Sequence, residues 1–224
     1  MATFTIRADD QNTSTGTATA KADSKTVSFI KDAAKDNNME IAMAEIGARK
    51  AQNADLKSFC QQLQQDHTAA NQQLQPIAQR YGVTLEDPME AKSHHDVTKF
   101  EKEESGAKFD QKFATEMLKS HEKEIKKFED AATKLQETDV KQYAQTTLPK
   151  LRQHFDRAVT VARAVGVDQS TISSYSKKVP SAVGGTSDSD LDTTKGAGAA
   201  DLKDSTKTPD STSPSTPPSS PLNK

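Results

Sequence analysis

Between residues 27 and 166 the apolar side chains recur every three to four positions, and no convincing alternating run interrupts them. A repeat near 3.6 residues fits α-helices and a repeat of two fits strands, so this stretch is confined to an all-α fold. The first helix is expected from near Thr26 to Ala51, with Ile30, Ala34, Ile41, Ala44 and Ala48 on one face. Asn53 is placed to cap a second helix carrying Leu56, Phe59, Cys60, Leu63, Ala70, Leu74, Ile77 and Tyr81, which stops at Gly82. The third has a regular stripe, Phe109, Phe113, Met117, His121, Ile125, Phe128, Ala132 and Leu135. After a turn at 137–139, the fourth turns Val140, Ala144, Leu148, Leu151, Phe155, Ala158, Ala162 and Val165 inward and ends at Gly166. Pro76 and Pro149 lie inside helical patterns and are expected to bend them.

The connections select among bundles. Helices one and two, and three and four, are joined by a few residues, so each pair is an antiparallel hairpin. Residues 83–108 form a long crossover between the hairpins, expected to hold one short helix over 89–104. Two hairpins joined by one long crossover make a ferritin-like four-helix bundle.

Outside this region the composition changes. Residues 1–25 are rich in Thr, Ser, Ala and Asp, with no apolar run of the roughly 7 to 15 residues a secretion signal needs, and read as a flexible N-terminal segment. The bundle is assigned to 26–167. Residues 168–224, rich in Ser, Thr and Pro, are read as a disordered tail with too few apolar groups to offset the entropy of ordering. Such tracts serve as spacers, which makes the tail a candidate tether to a cell envelope; a solubilising extension is the alternative.

Thirty basic residues against thirty-two acidic ones leave no excess of positive charge, which argues against a dedicated nucleic-acid binder. No run approaches the roughly 18 to 20 apolar residues of a membrane span. The single cysteine, Cys60, excludes an intrachain disulfide and a paired-cysteine metal knuckle; on its apolar stripe it reads as a core residue.

Three stripes expected to be apolar each contain one histidine: His67, His121 and His154. At 1.5 Å per residue, His67 lies roughly 20 Å from the first hairpin turn, and His121 and His154 each roughly 24 Å from the second. Glu40, about 12 residues from the first turn, falls at a similar height. One carboxylate and three imidazoles, one per helix, would suit a single divalent ion, zinc or iron, with room for water. Asp66 and Glu122 neighbour two of these histidines but point about 100° away, which gives them supporting rather than ligating roles. Asp110 is about 16 Å along its helix from His121, too far to share an ion, and suits the cap where the crossover enters the third helix. His94 and His95 in the crossover are expected in solvent, and 119–129 reads as a solvated charged face. Two readings stay open on these residues: a metal site, or a metal-free polar layer pairing Glu40 with the imidazoles and fixing helix register.

The segments MEIAMAEIGARKAQN at 39–53, QQDHTAANQQL at 64–74, GAKFDQKFATEMLKSHEKEIKKFE at 106–129 and LPKLRQHFDRA at 148–158 occur in the order found in the bacterial DUF4142 family, which this chain resembles over about 27–166. The resemblance implies a ferritin-like fold, an exported or outer-membrane-associated protein, and Glu40, Asp66, His67, Asp110, His121 and His154 as motif positions. It implies no activity and no catalytic residue. The chain departs from a di-iron pattern: Gln64 precedes His67 by three and Leu151 precedes His154 by three, where the superfamily's centre has glutamates. The expectation is therefore a mononuclear site or none.

Overall fold

The computed structural model describes residues 21–179, and every regular element among them is a helix. The four long ones are α1 (Ser24–Lys50), α2 (Ala54–Arg80), α5 (Ala107–Lys134) and α6 (Thr138–Ala164). Two short ones, α3 (Pro88–Ala91) and α4 (His95–Lys102), lie in the crossover, and α7 (Gln169–Ser176) follows α6.

Helix starts follow from capping. The Asp23 carboxylate accepts from the Thr26 amide at 2.7 Å, and the Asn53 side chain accepts from the Leu56 amide at 2.9 Å, each satisfying an amide that the first turn leaves without a partner. Gly82 and Gly166 follow α2 and α6 with φ of 63° and 80°, the left-handed conformation in which glycine ends helices at least cost. Three residues join α1 to α2 and three join α5 to α6, which makes each pair an antiparallel hairpin. The hairpins pack as a bundle, with α2 against α6 and α1 against α5.

Along the interior lie Ile30, Leu56, Phe59, Leu63, Phe109, Phe113, Leu118, Ile125 and Phe155, each almost fully buried. Phe100 of α4 meets Phe113 edge-on at 5.5 Å, and Phe113 stacks on Phe109 at 5.6 Å. The close approach of α1 to its neighbours depends on Gly47, where a Cβ would fall on the Cys60 sulfur and within 2.7 Å of the Phe113 ring. Cys60 is a core residue, and burial pushes its thiol up to about 12.

Three features depart from the sequence expectations. The crossover forms two short helices rather than one; Val97 and Phe100 of α4 are buried, and the Lys50 ammonium donates to the Phe100, Glu101 and Glu103 carbonyls at its end. Helical structure also continues past 168, where the tail was expected to begin. Ile172 and Val179 are buried there, giving the Ser-rich α7 the apolar anchors that its composition conceals. The rest of the expected tail, 180–224, and residues 1–20 lie outside the described residues. Finally, 119–129 is not a uniform solvated face, because Glu124 is buried within it. No helix among the described residues is long and apolar enough to cross a membrane.

Candidate metal centre

His67 on α2, His121 on α5 and His154 on α6 meet in mid-bundle. All three are buried, and their ring centroids stand 5.8, 5.3 and 5.4 Å apart. One nitrogen from each ring lies within 4.8 Å of the other two. Phe59 borders the group, its ring centroid 6.5 Å from His121 and 6.4 Å from His154.

Each imidazole is held from behind by an oxygen. His154 donates from Nε2 to Oδ2 of Asp66 at 2.8 Å, and His121 donates from Nδ1 to the Met117 carbonyl, one turn back on its own helix, at 3.0 Å. His67 donates from Nδ1 to the Asn37 amide oxygen at 2.9 Å. The direction of that last bond is set at a distance. The Glu86 backbone carbonyl can only accept, so Asn38 turns its NH2 toward it at 3.2 Å. The Asn38 oxygen is then free to accept from Asn71 at 2.6 Å, and the Asn71 oxygen from Asn37 at 3.0 Å. The Asn37 oxygen is left facing His67, with its NH2 also reaching the Tyr143 hydroxyl at 3.3 Å. A neutral imidazole carries one N–H, so these bonds leave Nε2 of His67, Nε2 of His121 and Nδ1 of His154 as bare acceptors. Those three atoms are buried and have no hydrogen-bond partner.

The trio is kept neutral. Burial lowers His121 to about 4 and His154 to about 2, the latter helped by the neighbouring His121 and Lys150. Burial also pulls His67 well below its ordinary value, reinforced by the other two rings and opposed by Asp66. The three bare nitrogens can accept but not donate: a hydrogen bond from a water, a proton at high cost, or a metal ion.

Among the other residues singled out in the sequence, Asp66 supports the trio, but through His154 on another helix rather than through its neighbour His67. Asp110 accepts from the Gln52 and Asn53 amides at 2.8 to 3.2 Å, tying the first hairpin turn to the start of α5. Glu122 stands apart from the trio, 3.9 Å from the Lys178 ammonium. His94 is half-buried rather than solvated and bonds Glu86 at 2.9 Å, while His95 is exposed beside Asp96.

Glu40 does not join the imidazoles: the converging group contains the three histidines alone. The Asn37 position faces His67, and Glu40, nearly one turn later, is directed to α5, where Ser120 favours its charged form. Burial, with Asp36 and Glu116 nearby, raises Glu40 to about 7. Asn37, Asn38 and Asn71 are the supporting residues the sequence reading missed; their signal was a pair of asparagines in mid-helix, where their propensity is poor.

The model of the family described as Domain of unknown function (DUF4142) matches residues 11–161. No curated protein and no solved structure matches the chain.

Proposed function

The chain belongs to the DUF4142 family, and from that premise we propose that it is a ferritin-like bundle protein holding one divalent metal ion on Nε2 of His67, Nε2 of His121 and Nδ1 of His154. The observation that carries this reading is the convergence of three buried imidazoles, one nitrogen of each within 4.8 Å of the others and one nitrogen of each without a hydrogen-bond partner. In a metal-free polar layer the rings would be expected to donate to one another. Here each ring's N–H is taken by an oxygen outside the trio, which leaves three buried acceptor nitrogens that a shared electrophile would satisfy together.

Three neutral imidazoles and no carboxylate favour zinc over iron(II), whose open mononuclear sites commonly include an acidic ligand. A fourth position would be left for water. The role that follows is to hold or store an ion, or to protect against metal stress, rather than to turn over a substrate. The family resemblance and the Ser/Thr/Pro-rich sequence beyond 180 support a place in the bacterial cell envelope, with that sequence as the tether.

The test is a zinc or cobalt(II) titration of the full chain purified without a histidine tag. One equivalent bound, a rise in Tm and its reversal by chelator are expected. Stoichiometry far below one and no effect of chelator would leave a metal-free polar layer.

A further inference from the structure

A group of acids, two of them buried, lies beside the bundle interior and takes no part in the histidine centre. A pocket of about 280 Å³ opens between α1 and α5, with Asp36 and Glu40 on one wall and Glu116, Ser120 and Glu124 on the other. The α5 residues are spaced by four, so they stand in one row along the helix. Asp96 of α4 adds a fifth carboxylate. Lys119, Lys123 and Lys127 also line the pocket, but Lys119 is engaged by Glu116 at 2.8 Å and Lys127 by Asp36.

Glu40 and Glu124 are the buried acids of this lining, one from each helix, 4% and 5% exposed. Oε2 of Glu40 is buried with no hydrogen-bond partner although the residue lines the pocket. Two neighbouring carboxylates out of water are costly unless protonated or matched by positive charge. Among the described residues no lysine forms an ion pair with Glu40 or Glu124, although Lys127, paired with Asp36, lies near enough to favour the charged form of Glu124.

We propose that Glu40 and Glu124 bind a hard divalent cation, of the manganese, magnesium or calcium class, at the floor of this pocket. All the donors are oxygens, the chemistry these ions prefer and zinc among imidazoles does not require. Two carboxylates with retained waters suffice for a small hard ion, and the pocket has room for several waters. Burial holds both acids above the usual carboxylate range, with Asp36 and Glu116 adding to it at Glu40 and Glu40 and Asp36 at Glu124, which agrees with acids awaiting a positive partner.

The experiment is a Mn2+ titration of the full metal-free chain near pH 8, read from the loss of the free-ion EPR signal. One Mn2+ should bind to the parent and equally to His67→Ala. Glu40→Gln and Glu124→Gln should each weaken it at least tenfold while keeping the parent's helical circular dichroism. Ca2+ should displace the bound Mn2+, and one equivalent of Zn2+ should not, a readout needing no variant. No binding by the parent, unchanged binding by the glutamine variants, or loss caused by His67→Ala or by one equivalent of Zn2+ would overturn the proposal. The zinc titration of the histidine centre stands or falls separately.

Discussion

His154 gives its Nε2 proton to Oδ2 of Asp66, 2.8 Å away across the contact between α2 and α6. A carboxylate that can only accept thereby fixes which nitrogen of His154 looks inward. Asp66→Ala should reduce zinc affinity about 10- to 100-fold. Asp66→Asn, whose amide oxygen can still accept, should recover much of that loss. Equal affinities for all three chains by competition with a chromophoric chelator would show that Asp66 does not orient the ring.

The metal-free protein should be most stable in mildly acidic solution. His121 and His154 titrate near 6.5 when unfolded but at about 4 and about 2 when folded, so their contribution is complete above 6.5 and lost as pH falls from there. Glu40 has the opposite sign. Its folded value of about 7 lies above the ordinary 4.5, so its contribution is complete below 4.5 and lost as pH rises through 7. Urea midpoints between pH 4 and 9 should trace both limbs, and Glu40→Gln should flatten only the alkaline one.

Residues just after α6 should contribute measurably to stability. Ile172 is 1% exposed, and Ile172→Ala should cost about 2 kcal/mol, near the low end for truncating a buried isoleucine. A chain stopped at 179 should melt above one stopped at 167, as read by circular dichroism. Equal melting temperatures would show that α7 adds nothing to the bundle.

Gly47→Ala should destabilise despite alanine's better helix propensity. Its methyl group would meet Cys60 and Phe113, an overpacking cost of about 1 to 3 kcal/mol against a gain of about 1. Adding Cys60→Ala should restore part of the loss, because one of the two obstructing groups shrinks. Tm values for the two single variants and the double variant measure that coupling.

The helices were legible because burying one face of a long helix demands a stripe, and the stripes of α2, α5 and α6 carry the three histidines. For the same reason their convergence could be inferred from helical rise and turn position alone. On α1 the pattern is diluted by alanine, which marks a face weakly. Ile30, Ala34 and Ala44 are buried as expected, but Ile41 is only half-buried while Met43 and Ile46 are buried, so the buried face is broader than the stripe read in the sequence. Asn37 on that broader face reaches His67, and Glu40 is directed to α5. The chain of amides from Glu86 to His67 was not legible, because its members are far apart in sequence and are related only by folding. Helix α7 was hidden by composition: Ile172 and Val179 are sparse anchors in a Ser- and Lys-rich segment.

The three imidazoles are divided unequally between the hairpins, His67 from the first and His121 and His154 from the second. An ion held by all three would rivet together two pieces that otherwise meet through packing, hydrogen bonds and ion pairs such as Lys127 with Asp36 and Arg80 with Asp139. Prising the hairpins apart would then require breaking a nitrogen–metal bond. If the rivet sets only after the hairpins have docked, the metal should lengthen the lifetime of the folded state far more than it hastens folding. A chain so fastened would resist mechanical load and slow proteolysis out of proportion to its equilibrium stability.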